Sequence, residues 1–331
     1  MADEQNIRAR IFGTGHSVPA QVLTNSDLEK MVDTSDAWIV ERTGIHERRI
    51  LEPGRVTSDL AAQAAREACE MVGWDPKTLD CIILGTVTPD MPMPATAVYV
   101  QQQLGCSGAA AFDLSAACAG FLYGIAIGNT FVRCAQFRRV CVIGVEVLSR
   151  VLDWTDRNTC VVFGDGAGAV VLGPEKGERG ILSTHLYADG EGARFLHIPG
   201  GGSRSPTSKQ TLEEKQHVVK MNGRQVFAHA VRNISEACET ALTANQMTPD
   251  DVDRVIAHQA SERILQGVAE RCSLPIEKFY INLGRYGNTS SASIPIALDE
   301  LVRRDGLKPG ERLLFCAFGA GFSWGSAIVR W

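Results

Sequence analysis

No two of the ten cysteines form a C-x-x-C pair, and none joins a histidine at zinc-ligand spacing. The sequence therefore presents no structural metal site. No apolar run approaches the ~18 residues that a membrane-crossing helix needs. Basic residues are not in excess: 33 Lys and Arg face 38 Asp and Glu, for a formal charge of −5. That balance is too modest, and of the wrong sign, for a nucleic-acid binder. The opening MADEQNIRAR is polar and charged, unlike a secretory leader, so a cytoplasmic setting is expected. The cysteines are scattered through apolar segments, as at Cys81, Cys141 and Cys316, which suits reduced thiols rather than a disulfide framework. What is present is ordinary for a globular enzyme: 331 residues, 45% hydrophobic and 21% charged. The chain is long enough for two domains or a duplicated one.

Alternating short apolar runs and amphipathic segments predict strands near residues 7–14, 80–86, 112–114, 139–145 and 160–172. They predict helices near 25–31, 60–72, 98–104, 121–130 and 221–244. The glycines of FGDGAGAVVLG (Gly164, Gly166, Gly168) run into a strand rather than a helix. The dinucleotide fingerprint fails there, and a tight strand-to-strand turn is expected instead. The stretch from 173 to 216, with three successive glycines at Gly200–Gly202, reads as a long surface loop between two halves.

Those halves repeat. Glu67-Ala-Cys69 recurs at Glu236-Ala-Cys238, and Leu79-Asp-Cys-Ile-Ile83 matches Val252-Asp-Arg-Val-Ile256 at an offset of 173. Residues 112–118 match 282–288 at an offset of 170, and 141–172 finds a shorter echo in 313–329. A repeat of this length is a duplicated αβ domain, not a solenoid. Two mainly parallel sheets separated by helices follow, divided into residues 1–175 and 176–331. The 170 offset places Cys118 and Asn288 at pseudo-symmetric positions.

Cys118 lies in AFDLSAACAGFLYG, where a strand is expected to turn into a helix. A lone cysteine in an apolar segment reads as core packing. The small residues around it, and the positive end of the following helix, instead suit a nucleophilic thiolate approached closely by substrate. His258 ends the apolar run Val255-Ile-Ala, as either a satisfied loop residue or a catalytic one. Asn288 in YGNTSSASIP is either a helix cap or a donor. The duplication lets all three meet in one cavity. Trp38 with Arg42, Arg48 and Arg49 reads as a surface helix and turn, or as a holder for an anionic ligand with a flat ring.

AACAG around Cys118, HQAS from His258 and YGNTSSASIP around Asn288 resemble the Cys-His-Asn set of β-ketoacyl-acyl-carrier-protein synthase III, a condensing-enzyme family of the thiolase-like superfamily. TSDAWIVERTGIHERRI, FGDGAGAVVL and FGAGFSWGSAIVRW extend the resemblance over essentially the whole chain. The order Cys, His, Asn separates it from elongating condensing enzymes, which use one Cys and two His. The resemblance implies a thiolase-like duplicated fold in five α-β-α-β-α layers. It implies condensation of an acyl-CoA starter, acetyl-CoA first among them, with malonyl-acyl-carrier protein through an acyl-Cys118 intermediate. Acyl-CoA is then a substrate, and neither cofactor nor metal is expected.

By the same resemblance, the backbone N–H groups of Cys118 and Ala320 form the oxyanion hole, and His258 with Asn288 stabilises the enolate. Trp38, Arg42, Arg157, Gly223, Phe227 and Ser261 bind coenzyme A, and Met221 joins the wall of its pantetheine arm. Arg263 meets the acidic carrier protein, and Met93 reaches across a homodimer to close the partner's acyl pocket. Two residues depart from the family pattern: Ser261 stands where HQAN has Asn, and Ala320 where FGGGF has Gly. Alternative readings are a related acyltransferase or ketosynthase of secondary metabolism, and a silent paralogue that only binds the carrier protein.

Overall fold

The structure, a computed structural model, describes residues 7–331; part of the polar opening thus lies outside the described residues. Two mixed sheets dominate. In the first, the spatial order is Ile7–Ser17, Asp165–Lys176, Val140–Val147, Cys81–Gly85 and Ala110–Leu114. In the second it is Arg254–Ala257, Arg312–Gly319, Ser323–Arg330 and Gly180–Ala188. Cys81–Gly85 runs parallel to both of its neighbours, and Arg254–Ala257 runs parallel to Arg312–Gly319. Every other pairing within the two sheets is antiparallel. The expectation of mainly parallel sheets is therefore corrected. Parallel neighbours need a crossover, usually helical, whereas Gly319 and Ser323 are joined by three residues that leave room only for a reversal.

The helices Gly120–Arg133 and Ser293–Arg304 lie between the sheets; the first touches strands of both. Thr57–Glu70 and Thr96–Leu104 cover the outer face of the first sheet, Gly223–Ala244 and Glu262–Arg271 that of the second. Five layers result. Strongly apolar strands such as Val140–Val147, buried at every residue, are what a sheet covered on both faces requires. The central core joins Ile83, Val142 and Val170 of the first sheet to Ile256, Phe315 and Ala327 of the second, across Phe121 and Leu298.

Three sequence expectations are revised. The stretch 173–216 is not one loop: Gly180–Ala188 is an edge strand of the second sheet, matching Ile7–Ser17 in the first. Six successive part-buried residues give this strand no two-residue alternation to read. Gly166 and Gly168 lie inside the strand Asp165–Lys176 rather than in a turn. A Cβ at Gly168 would stand 2.7 Å from the backbone nitrogen of Ile296, so glycine is what lets the central helix approach.

The third revision concerns the pseudo-symmetry. Cys81 pairs with Val140, and Arg254 with Leu313, so both the strands and their partners repeat at an offset of 173. The same offset carries Cys118 onto Ser291, not onto Asn288. Both sit centrally in a single 3₁₀ turn, Ala117–Ala119 or Ser290–Ala292, that leads into a central helix. The residue before each has positive φ, 46° at Ala117 and 51° at Ser290. Asn288 is thus three residues upstream of the true counterpart. Residues near 280 form only one isolated bridge, Val255 to Phe279, where the first half has the strand Ala110–Leu114, so the second half is shorter here and spacing counted through it falls three residues short.

Candidate active site

Cys118, His258 and Asn288 border one cavity of about 760 Å³. Each is almost fully buried in protein, at 6%, 3% and 6% exposure. Cys118 is held between the ends of both sheets. A Cβ on Gly319 would lie 2.5 Å from the Cys118 nitrogen, so the end of the second sheet packs directly on the Cys118 backbone. Ala320 borders a narrower recess with Cys118, of about 250 Å³, walled by Val87, Leu148, Phe163, Leu196 and Val219. That mainly apolar recess shares Cys118, Phe163 and Leu196 with the larger cavity.

His258 follows the strand Arg254–Ala257 directly, and its N–H continues the ladder to the Cys316 carbonyl at 2.8 Å. Burial drives the ring's pKa down to about 4, although contact with the Ser290 carbonyl opposes this. The imidazole is neutral at physiological pH. Asn288 is tied to the other half by its N–H to the Val162 carbonyl, 2.9 Å, and by its carbonyl to the Gly164 N–H, 3.0 Å. Its side-chain Oδ1 accepts from the Ser290 N–H at 2.8 Å. The oxygen being thus engaged, the amide NH₂ is the end left for a ligand.

The helix was expected to favour the Cys118 thiolate. Instead burial pushes the thiol up to about 12; hydrogen bonding by Ser290 and by the residue's own N–H opposes this, and the charge of Glu146 reinforces it. Burial thus favours the thiol over the thiolate at Cys118. The sequence reading missed Glu146. It is fully buried and accepts from the hydroxyls of Thr86 (3.1 Å), Thr88 (2.6 Å) and Ser290 (3.2 Å) and from the Val87 N–H (3.1 Å). Desolvation raises its own pKa to about 7 against those bonds. A lone acidic residue within VIGVEVL was the available signal, since a charge inside a fully apolar strand needs a partner or a purpose.

Trp38, Arg42, Arg157, Gly223, Phe227, Ser261, Arg263 and Met221 all border the same cavity. Arg42 and Arg157 stand 4.5 and 5.2 Å from the Trp38 ring centre, and Arg263 stands 5.6 Å from that of Phe227. This yields a mouth of cationic groups and flat rings suited to a polyanion bearing an aromatic base. Ser261 caps the helix Glu262–Arg271, its Oγ accepting from Ile264 N–H at 3.3 Å. Met93 is not brought to the site of its own chain; it is 83% exposed on a surface that also carries Met91 and Val98.

Comparison with known proteins agrees with this architecture. Family models described as 3-oxoacyl-[acyl-carrier-protein (ACP)] synthase III and its C-terminal part match residues 112–190 and 242–331. The chain is 50% identical, over 99% of both sequences, to the beta-ketoacyl-[acyl-carrier-protein] synthase III of Caldanaerobacter subterraneus subsp. tengcongensis. It is 48% identical to that of Natranaerobius thermophilus, over 98% of this chain and 99% of the relative. The crystal structure of 3-oxoacyl-[acyl-carrier-protein] synthase III from Aquifex aeolicus VF5 superposes with a TM-score of 0.90 at 44% identity, covering 98% of this chain and 100% of the other.

Proposed function

Because the chain belongs to the 3-oxoacyl-[acyl-carrier-protein] synthase III family, an acyltransferase family of fatty-acid synthesis, we propose the following division of labour among its residues. The observation that carries it is the convergence of Cys118, His258 and Asn288, drawn from both halves, on one cavity. The sulfur of Cys118 attacks the carbonyl of an acyl-CoA, forming an acyl-Cys118 thioester and expelling the coenzyme A thiolate. The proton lost by the thiol neutralises that leaving group. Backbone N–H groups of Cys118 and Ala320 hold the oxyanion, a role that the methyl of Ala320 leaves intact.

Malonyl-acyl-carrier protein enters next. Loss of CO₂ leaves an enolate, which needs hydrogen-bond donors and no base. Neutral His258 and the Asn288 amide supply them. The enolate carbon attacks the acyl-Cys118 carbonyl, the cysteine sulfur departs and takes up a proton, and a 3-oxoacyl-carrier protein is released. Each step is assigned to this chain's own groups, with acyl-CoA as a substrate.

Trp38, Arg42 and Arg157 grip the nucleotide end of coenzyme A, while Gly223, Phe227 and Ser261 line the path of its pantetheine arm. The helix cap takes one lone pair of the Ser261 hydroxyl, so its proton remains to donate toward the pantetheine arm, with less reach than a longer amide side chain. Arg263 at the mouth meets the acidic carrier protein. The chain works as a homodimer in which Met93 closes the partner's acyl recess. The test is intact-protein mass after incubation with acetyl-CoA, followed by product analysis with malonyl-carrier protein over a panel of acyl-CoA starters. An acyl mass located on Cys118, and 3-oxoacyl products from it, are expected. An unmodified Cys118 would overturn the assignment.

A further inference from the structure

The proposed reaction asks His258 to donate a proton into the cavity, and a neutral imidazole has only one to offer. The nitrogen that carries it is decided on the far side of the ring, at Nδ1. There the Ser293 hydroxyl lies 2.7 Å from Nδ1. The Ser290 carbonyl also contacts the ring. These neighbours have opposite demands. The Ser290 carbonyl oxygen is 2.9 Å from the Ser293 hydroxyl that faces Nδ1; a carbonyl can only accept, so on that side it would favour Nδ1–H and leave Nε2 as a bare lone pair, which would repel an enolate oxygen. A hydroxyl can donate to Nδ1 and thereby keep the proton on Nε2.

Ser293 Oγ has one proton and three neighbours. The Gln259 N–H, at 3.3 Å, can only donate to it and uses a lone pair. The Ser290 carbonyl oxygen, at 2.9 Å, competes with Nδ1 for the proton. Ser293 is 2% exposed and is the first residue of the central helix Ser293–Arg304.

We propose that Ser293 is a positioning residue, whose hydroxyl donates to His258 Nδ1 and so holds the ring in the Nε2–H form that the enolate requires. This inference rests on the donor role given to His258 above. Ser293 touches no reacting atom; it acts by overriding the Ser290 carbonyl.

The direct experiment is ¹⁵N NMR of the histidine rings in the wild-type enzyme, with His258 assigned by comparison with His258→Ala. A protonated Nε2 is expected, and a protonated Nδ1 would overturn the proposal without any Ser293 variant being made. In Ser293→Ala, alanine keeps the helix but leaves the carbonyl as the ring's only partner. His258 should switch to Nδ1–H, acylation of Cys118 should be unchanged, and malonyl decarboxylation should fall at least ~10-fold, at most by the ~10²–10³ that loss of one preorganised donor costs. Ser293→Thr, which keeps the hydroxyl, should restore both the tautomer and the rate. Normal decarboxylation in Ser293→Ala would overturn the inference alone if His258→Ala is still defective. If His258→Ala also decarboxylates normally, the donor role itself is wrong.

Discussion

At the scale of single residues, the site separates two chemistries between two kinds of group. In the proposed reaction Cys118 acts in the first half-reaction, so Cys118→Ser should form no acyl-enzyme by mass spectrometry, because a serine hydroxyl without an adjacent base is a far weaker nucleophile. His258→Ala and Asn288→Ala should each still load an acyl group yet lose malonyl decarboxylation by ~10²–10³. Normal CO₂ release in both variants would remove them from that step. Glu146 supplies a pH test. Its pKa is raised to about 7 from 4.5 by burial, so the folded state holds a proton that the unfolded state has lost across that window. The resulting stabilisation is fully present below about 4.5 and is lost as pH rises through about 7. His258, lowered to about 4, opposes it, costing stability as pH falls from 6.5. The difference in melting temperature between wild type and Glu146→Gln isolates the carboxyl. It should shift in favour of the variant as pH rises from 5 to 8, and a difference independent of pH would mean that Glu146 does not titrate there.

At the scale of elements, the site depends on how closely each 3₁₀ turn approaches the opposite sheet, Ala117–Ala119 the second and Ser290–Ala292 the first. A Cβ on Gly144 would stand 2.1 Å from the Ser291 carbonyl oxygen, a contact with backbone on both sides. Ser291 in turn donates to the Gly85 carbonyl at 2.8 Å, and Ser290 reaches Glu146 two residues along the same strand. Gly144→Ala must push the turn away from the strand, and overpacking of this kind costs ~1–3 kcal/mol. Urea unfolding should show that loss, with a fall in decarboxylation because Asn288 and Ser293 flank the displaced turn. An unchanged midpoint would show that the turn moves freely. The second half keeps Thr14 and His16 bound to Asp299 of the central helix, at 2.6 and 2.5 Å, with Arg303 donating to both carboxylate oxygens. Those bonds fix Ser293–Arg304 against the first sheet and so set the height of the turn before it.

At the scale of the whole molecule, the exposed Met91 and Met93, 41% and 83% accessible, are the feature that a single chain leaves unexplained. An apolar Met-Pro-Met loop is well suited to burial against a second copy. There the flexible thioether of Met93 would give the partner's recess an adaptable wall. Met93→Phe should leave acetyl-CoA use intact and lower use of butyryl- and octanoyl-CoA. An unchanged chain-length profile, or an active enzyme that sediments as a monomer, would refute this.

Much of this molecule follows from local pattern. Apolar runs such as Val140–Val147 and Cys81–Gly85 announce buried strands, because a strand covered on both faces has no polar positions to spare. The motifs around Cys118, His258 and Asn288 point to the proposed chemistry, because the residue types suited to it are few. Tertiary structure alone decided the rest. The edge strand Gly180–Ala188 owes its existence to pairing with Ser323–Arg330 across a long sequence gap, and pairing partners leave no local trace. The thiol of Cys118 is raised rather than lowered because burial outweighs the hydrogen bonds from Ser290 and from its own N–H, a balance that depends on what packs around it. The counterpart of Cys118 is Ser291 rather than Asn288 because hydrogen-bond register, not residue resemblance, sets equivalence. The hydroxyl of Ser293 faces His258 across 35 positions of sequence only because the strand end and the helix start share one wall of the cavity.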